Sequence, residues 1–417
     1  MLLLNILSLI LIIQNTAFGQ TSIVAVGNAT IEKTSISFSV DENCNCIEIA
    51  NIIRSDLEMY KTKLSVYDSD LAEIGQFDYE FNLIRAENIY QLLEKSNGKS
   101  SSMKEFLLPP ERDDDRYLAH KIADTIYQRI FNKSSIFLSK IYYISDIGLD
   151  ENGKNSKQLF VIDYDGENKK QLTSHDGYVF SPAISEDRSH AIYSVILNNE
   201  KNKNVNLYMM DLKDKDFKII SSFKGINSGA VFVPNSDEII LTLTHSGKAE
   251  LYKTNTSTKK LFPLTRHFSS DVDPSISPDG KTLAFLSTRA GKPMIYTLST
   301  EKTEYMVKRI SFVGDYNATP RFSPDGESIV FSSWLDNKFD LFRLGRKGMN
   351  LVRLTKDHGS NEGPSFSPDG EFIVFSSQRI LNETQDVKNL YIMTKDGEIL
   401  KKISSSLGRT ESPSWVK

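Results

Sequence analysis

From residue 140 to the C-terminus, apolar and polar positions alternate in short runs, and one run recurs six times. It is an apolar residue followed by an aromatic: Leu159-Phe160, Leu207-Tyr208, Leu251-Tyr252, Ile295-Tyr296, Leu341-Phe342 and Leu390-Tyr391. Successive aromatics are 48, 44, 44, 46 and 49 residues apart. A near-constant period of this size marks one structural unit copied along or around an axis. Each copy carries further landmarks in fixed order. A Pro and an alternating stretch lead into a turn, as in Ser277-Pro278-Asp279-Gly280, Ser323-Pro324-Asp325-Gly326 and Ser367-Pro368-Asp369-Gly370. Pro presets φ, Asp bonds its own backbone and Gly accepts the left-handed conformation, so each of these reverses the chain. A β-branched and aromatic run follows (Leu283-Ala284-Phe285, Ile329-Val330-Phe331, Ile373-Val374-Phe375), then the apolar-aromatic strand, then a short one ending in Thr or Ser. Four short antiparallel strands per copy and six copies predict a six-bladed β-propeller.

The phase of the repeat predicts how the ring closes. Its first strand, Ile141 to Ser145, matches the second strand of a blade, whereas the chain ends on Ser412-Pro413-Ser414-Trp415, which matches a first strand. One blade is therefore expected to take strands from both ends, which removes an open edge. Trp415 is expected in the core.

Ahead of the repeats the pattern changes. Cys46, Ile49, Ala50, Ile53, Leu57 and Tyr60 share one helical face, with Asn45 as the expected N-cap. Phe77 to Ile84 reads as a strand, and Asn88–Lys95 and Met103–Leu108 flank the hairpin signal Asn97-Gly98. A second helix follows Asp113-Asp114-Asp115 and keeps Leu118, Ala119, Ile122, Ala123, Ile126 and Ile130 on one stripe. The expected class is mainly β with a small α/β domain. Its expected divisions are 1–19 a signal peptide, 20–134 an N-terminal α/β domain, and 135–417 the propeller.

Charge and composition narrow the function. A net charge of −4 over 417 residues carries no polyanion-binding signature, so nucleic acid is not expected as a partner. Residues 2–13 are apolar but too few to span a bilayer, and Ala17-Phe18-Gly19 supplies small residues before Gln20. That predicts a cleaved secretory signal and a mature chain without a transmembrane segment. Cys44 and Cys46 are separated by one residue; a bridge across so small a ring is not expected, and no further Cys is present to complete a zinc site.

Catalytic chemistry finds little support. There is no Gly-x-Ser-x-Gly elbow and no His-Glu-x-x-His, and His120, His175, His190, His245, His267 and His358 are scattered. Asp271, Asp273, Glu362 and Glu411 are carboxylates suited to Ca²⁺, but such oxygen ligands are generic; neither a metal nor a cofactor is expected. Asn227, Asp271, Asn317, Asn361 and Thr410 recur at one position of the copies and predict a polar ring, by loop-shaping turn chemistry or by contact with a partner.

Arg116-Tyr117-Leu118-Ala119-His120-Lys121-Ile122-Ala123-Asp124, leading into Ile136 to Tyr143, together with the signal, the domain order and the count of six blades, resembles the TolB family. These are the periplasmic propellers of the Tol-Pal system, and the resemblance covers essentially the full length. It implies a monomeric, non-catalytic adaptor in the periplasm of a Gram-negative cell, serving outer-membrane integrity and constriction during cell division. The implied face for the Pal lipoprotein comprises Val179 and Phe180; Ile226, Asn227, Ser228 and Gly229; Asp271, Val272 and Asp273; Asn317, Ala318 and Thr319; Asn361 and Glu362; Thr410 and Glu411. The implied TolA-binding segment is the mature N-terminus: Gln20, Thr21, Ser22, Ile23, Val24, Ala25 and Val26. Ile23 to Val26 has the composition to add to a partner's sheet edge or to serve as an internal edge strand. The alternatives are a secreted propeller of the same repeat class with another envelope or sugar partner, and a propeller hydrolase.

Overall fold

The computed structural model describes residues 33–41, 44, 46–67, 77–86, 89–96, 99–107, 114–198, 204–301, 307–382, 385–403 and 405–417. The expected signal peptide, Gln20 to Val26 and Asn45 lie outside the described residues.

The N-terminal unit is built from β1 (Thr34–Val40), α1 (Ile47–Glu58), β2 (Leu64–Tyr67), β3 (Tyr79–Ala86), β4 (Ile89–Ser96), β5 (Lys99–Leu107) and α2 (Asp114–Phe131). Its sheet runs β2-β1-β3-β4-β5, with β1 parallel to both β2 and β3. α1 makes the crossover that the parallel β1/β2 pair requires. Strands β4 and β5 form the hairpin expected around Asn97-Gly98, since Ser96 pairs with Lys99. The apolar stripes of both helices are buried as their periodicity requires: Ile49, Ala50, Ile53 and Leu57 on α1, and Leu118, Ala119, Ile122, Ala123 and Ile126 on α2. Two local expectations are corrected. Cys44 and Cys46 are joined in a disulfide, with Cα atoms 5.2 Å apart, and both are buried. The N-cap position of α1 is Cys46, which makes no side-chain cap bond.

Six four-stranded sheets follow. Blade I takes its inner strand from the C-terminus: Thr410–Val416, then Lys140–Leu149, Asn155–Asp163 and Lys170–Gln171. The inner strands of blades II to VI are Gly177–Ile184, Asn227–Phe232, Asp271–Ile276, Tyr316–Phe322 and Ser360–Phe366. Closure thus occurs as the phase predicts, with Trp415 opposite Ile141. Trp415 is 5% exposed, and its indole N–H donates to Ser139 Oγ at 2.8 Å.

The Ser-Pro-Asp-Gly turns join inner to second strands and also stack from blade to blade. In the turn of blade VI, Ser367 Oγ donates to Asp369 Oδ1 at 2.6 Å and accepts from Phe372 N–H at 2.9 Å. Gly326 has φ of 73°, and a Cβ there would stand 3.3 Å from the Cδ of Pro278 in the preceding blade, so both conformation and space call for glycine.

The N-terminal unit sits on this turn end of the ring, over blades VI and I. Tyr60 is the pivot: its hydroxyl donates to Asp369 Oδ2 at 2.6 Å and accepts from Ile136 N–H at 3.0 Å, and its ring packs on Tyr127, Phe137 and Phe372. Lys63 pairs with Glu371 at 2.8 Å and Lys61 with Glu398 at 2.6 Å. His120 is buried between Asp56 at 2.7 Å and Asp165 at 3.1 Å, and Arg116 also pairs with Asp165. One apolar core runs without a break from the N-terminal sheet into blades VI and I.

Candidate functional site

In a four-stranded antiparallel blade, the loops from outer strand to next inner strand and those from second to third strand share one end. That is the end opposite the turns, and it carries the segments singled out from sequence.

Each inner strand bears a β-bulge at the same place, visible as a register skip in all six blades. The bulged residue is left-handed every time: Ser181 (φ 48°), Gly229 (59°), Asp273 (54°), Thr319 (49°), Gly363 (60°) and Ser412 (49°). A Pro follows in five blades and Ala230 in the sixth. Left-handed backbone is costly for a β-branched residue such as Thr319, and here Asp273 of the neighbouring blade holds it: Asp273 Oδ2 accepts from Thr319 N–H at 2.7 Å.

Two residues before each bulge stands the expected polar ring, and its members are fully buried: Asn227, Asp271, Asn317, Asn361 and Thr410, with Val179 as the apolar sixth. They shape the loops. Asn227 Oδ1 accepts from Ser221 Oγ at 2.6 Å and from Phe223 N–H at 3.0 Å, while its Nδ2 donates to the carbonyls of Val205 and Phe223 at 2.8 and 2.7 Å. Asn317 Nδ2 donates to Val313 O at 2.8 Å, and Thr410 Oγ1 to Lys388 O at 3.2 Å. Among the segments expected to face a partner, Ile226 is exposed, while Phe180, Ser228, Gly229, Val272, Asp273, Ala318, Thr319, Glu362 and Glu411 are half-buried.

The channel-mouth carboxylates each meet a cation of the same chain. Asp271, fully buried, pairs with Arg289 at 2.7 Å; Asp273 with Arg321 at 3.3 Å; Glu362 with Lys388 at 2.8 Å; and Glu411 with Lys157 at 2.8 Å. Among the described residues, no group of three or more His, Cys, Asp or Glu is arranged to hold a metal ion. The histidines of this end are packed against aromatics. His175 Nε2 meets the Tyr193 hydroxyl at 3.0 Å, its ring lies against Tyr208 and Phe217, and burial pulls its pKa down to about 4. His358 falls to about 4 through burial and then the charges of Arg379 and Lys338.

What the sequence reading missed at this end is aromatic. Phe223, Phe268 and Phe312 are 42%, 83% and 71% exposed on three consecutive inter-blade loops, and Tyr316 and Trp334 are also exposed. The signal was a lone aromatic within a polar loop: Ser222-Phe223-Lys224, His267-Phe268-Ser269 and Ser311-Phe312.

The model of the TolB beta propeller domain family matches residues 127–417. Curated relatives named Tol-Pal system protein TolB, from Francisella tularensis subsp. holarctica (strain OSU18) and subsp. tularensis (strain FSC 198), are 30% identical over 220 residues. That alignment takes in 52% of this chain and 49% of each relative, so the chain spans about half the length of the curated relatives it matches. The crystal structure of TolB from Acinetobacter baumannii superposes with a TM-score of 0.74, at 24% identity, over 92% of this chain and 96% of that one. Kuenenia stuttgartiensis hydrazine synthase shares the fold more distantly, with a TM-score of 0.51 and 14% identity over 67% of this chain and 47% of that one. Among the described residues, no helix is long and apolar enough to cross a membrane. With the family match covering well over half of the chain, the chain belongs to the TolB β-propeller family.

Proposed function

We propose that the chain is a non-catalytic adaptor of a Tol-Pal system, working in the periplasm after removal of its signal peptide. It binds a Pal lipoprotein on the loop end of the propeller and TolA through Gln20 to Val26, supporting outer-membrane integrity and constriction during division. The observation that carries this reading is the state of the loop end. Among the described residues the N-terminal unit leaves it uncovered, and its carboxylates are spent on internal ion pairs rather than gathered for chemistry. Membership of the TolB propeller family and the name of the curated relatives support the choice of partner.

Titrating the soluble domain of the same organism's Pal into residues 20–417 tests the reading. Saturable one-to-one binding is expected. No binding at high micromolar concentration overturns it. Deleting Gln20 to Val26 is expected to abolish TolA binding while Pal binding and melting stay unchanged; loss of all three together would make the segment structural instead.

A further inference from the structure

The six inter-blade loops occupy equivalent places, yet they divide into two kinds. On the loops entering blades III, IV and V, Phe223, Phe268 and Phe312 project into solvent. On the other three, the chain places His175, His358 and Leu407, which are buried or half-buried. Single exposed apolar residues are ordinary, as Tyr178 is at the loop end of blade II, but three exposed aromatics on consecutive equivalent loops form an arc over half of the ring. Tyr316 and Trp334 extend it: they stand opposite one another at the loop end of blade V, and the Trp334 ring packs on Phe339 at 5.1 Å.

A cation accompanies each Phe. Lys224 follows Phe223, Arg266 lies two residues before Phe268, and the Arg309 guanidinium sits 4.5 Å from the centre of the Phe312 ring. Lys224 and Arg266 are exposed and make no ion pair among the described residues, in contrast to the paired charges at the channel mouth. Positive charge without an internal partner beside an aromatic surface complements a segment carrying both carboxylates and apolar side chains.

From this we infer that the arc over blades III to V, rather than the polar ring, is the docking surface for a partner, and that the partner presents an acidic segment with apolar anchors. The inference rests on the adaptor reading above. It is tested with the soluble Pal domain and the mature chain, in four forms: unaltered, Phe268→Ala with Phe312→Ala, Lys224→Glu with Arg266→Glu, and Lys356→Glu on a loop outside the arc. Melting of each form establishes that it folds; the altered side chains are exposed. The Phe variant is expected to bind at least about tenfold more weakly, as for central aromatic anchors. Charge reversal should slow association and remove its salt dependence, and Lys356→Glu should change neither. If the unaltered chain binds and both arc variants bind equally well, the arc is overturned while the adaptor reading stands. Tighter binding after charge reversal overturns the acidic partner segment. If the unaltered chain does not bind, both readings fall.

Discussion

At the loop end, the Asp271 carboxylate depends on its surroundings for stability. It is fully buried, and Arg289, itself largely covered, is its counter-charge. Removing one partner of such a pair leaves an uncompensated charge out of water and costs about 3–5 kcal/mol. Arg289→Met should therefore lower the free energy of unfolding in urea by roughly 3 kcal/mol, and adding Asp271→Asn should recover part of that loss. An unaltered midpoint in Arg289→Met would show that the pair does not hold the loop. His175 contributes to pH dependence here. Its pKa falls from 6.5 to about 4 because the folded protein buries the neutral ring among Tyr193, Tyr208 and Phe217. The unfolded chain therefore takes up a proton more readily between those values, so this contribution is present above pH 6.5 and is lost as the pH falls toward 4. His175→Gln should flatten the fall in melting temperature across that window, with His358 supplying a remaining slope. At this scale the sequence was legible in position and not in direction. The recurrence of Asn227, Asp271, Asn317, Asn361 and Thr410 was plain, but a strand's period-two alternation breaks at a bulge, and nothing local announces that the residue before each Pro turns left-handed.

Among the elements, the closing strand and the two helices were readable because they follow strong periodic rules. The strand Thr410–Val416 completes blade I, and Trp415 carries its anchorage through Ser139 and the Phe372 ring. Trp415→Ala should cost about 3–5 kcal/mol, as for a large buried aromatic, and deletion of residues 411–417 should leave a chain that melts lower and aggregates. A truncated protein with unchanged melting and solubility would contradict the shared blade. The strands β1 and β2 went unread. Ser35, Ser37 and Ser39 alternate with Ile36, Phe38 and Val40, a strand pattern muted by small polar residues, and β2 is only four residues long. The disulfide was unread for a different reason. An argument from ring size sets no limit that one intervening residue cannot meet, and the bridge lies buried against α1.

For the whole molecule, the count and phase of the repeats dictated six blades and their closure, whereas the placement of the N-terminal unit came from no periodic signal. Tyr60, Asp56 and His120 look like ordinary helix-face residues in sequence. Their partners Asp369, Tyr164 and Asp165 are hundreds of residues or a whole unit away, on turns whose motif also serves purely to reverse the chain. The result is a molecule with two unlike ends. The turn end is filled by the N-terminal unit over blades VI and I, and the loop end carries the aromatic arc over blades III to V. Hydrogen exchange of the mature chain with and without the soluble Pal domain tests this arrangement most directly. New protection is expected in residues 222–226, 264–270 and 310–316, with none around Asp165, Asp369 and Glu398. Protection centred on those turn-end residues, or none at either end under saturating Pal, would contradict it.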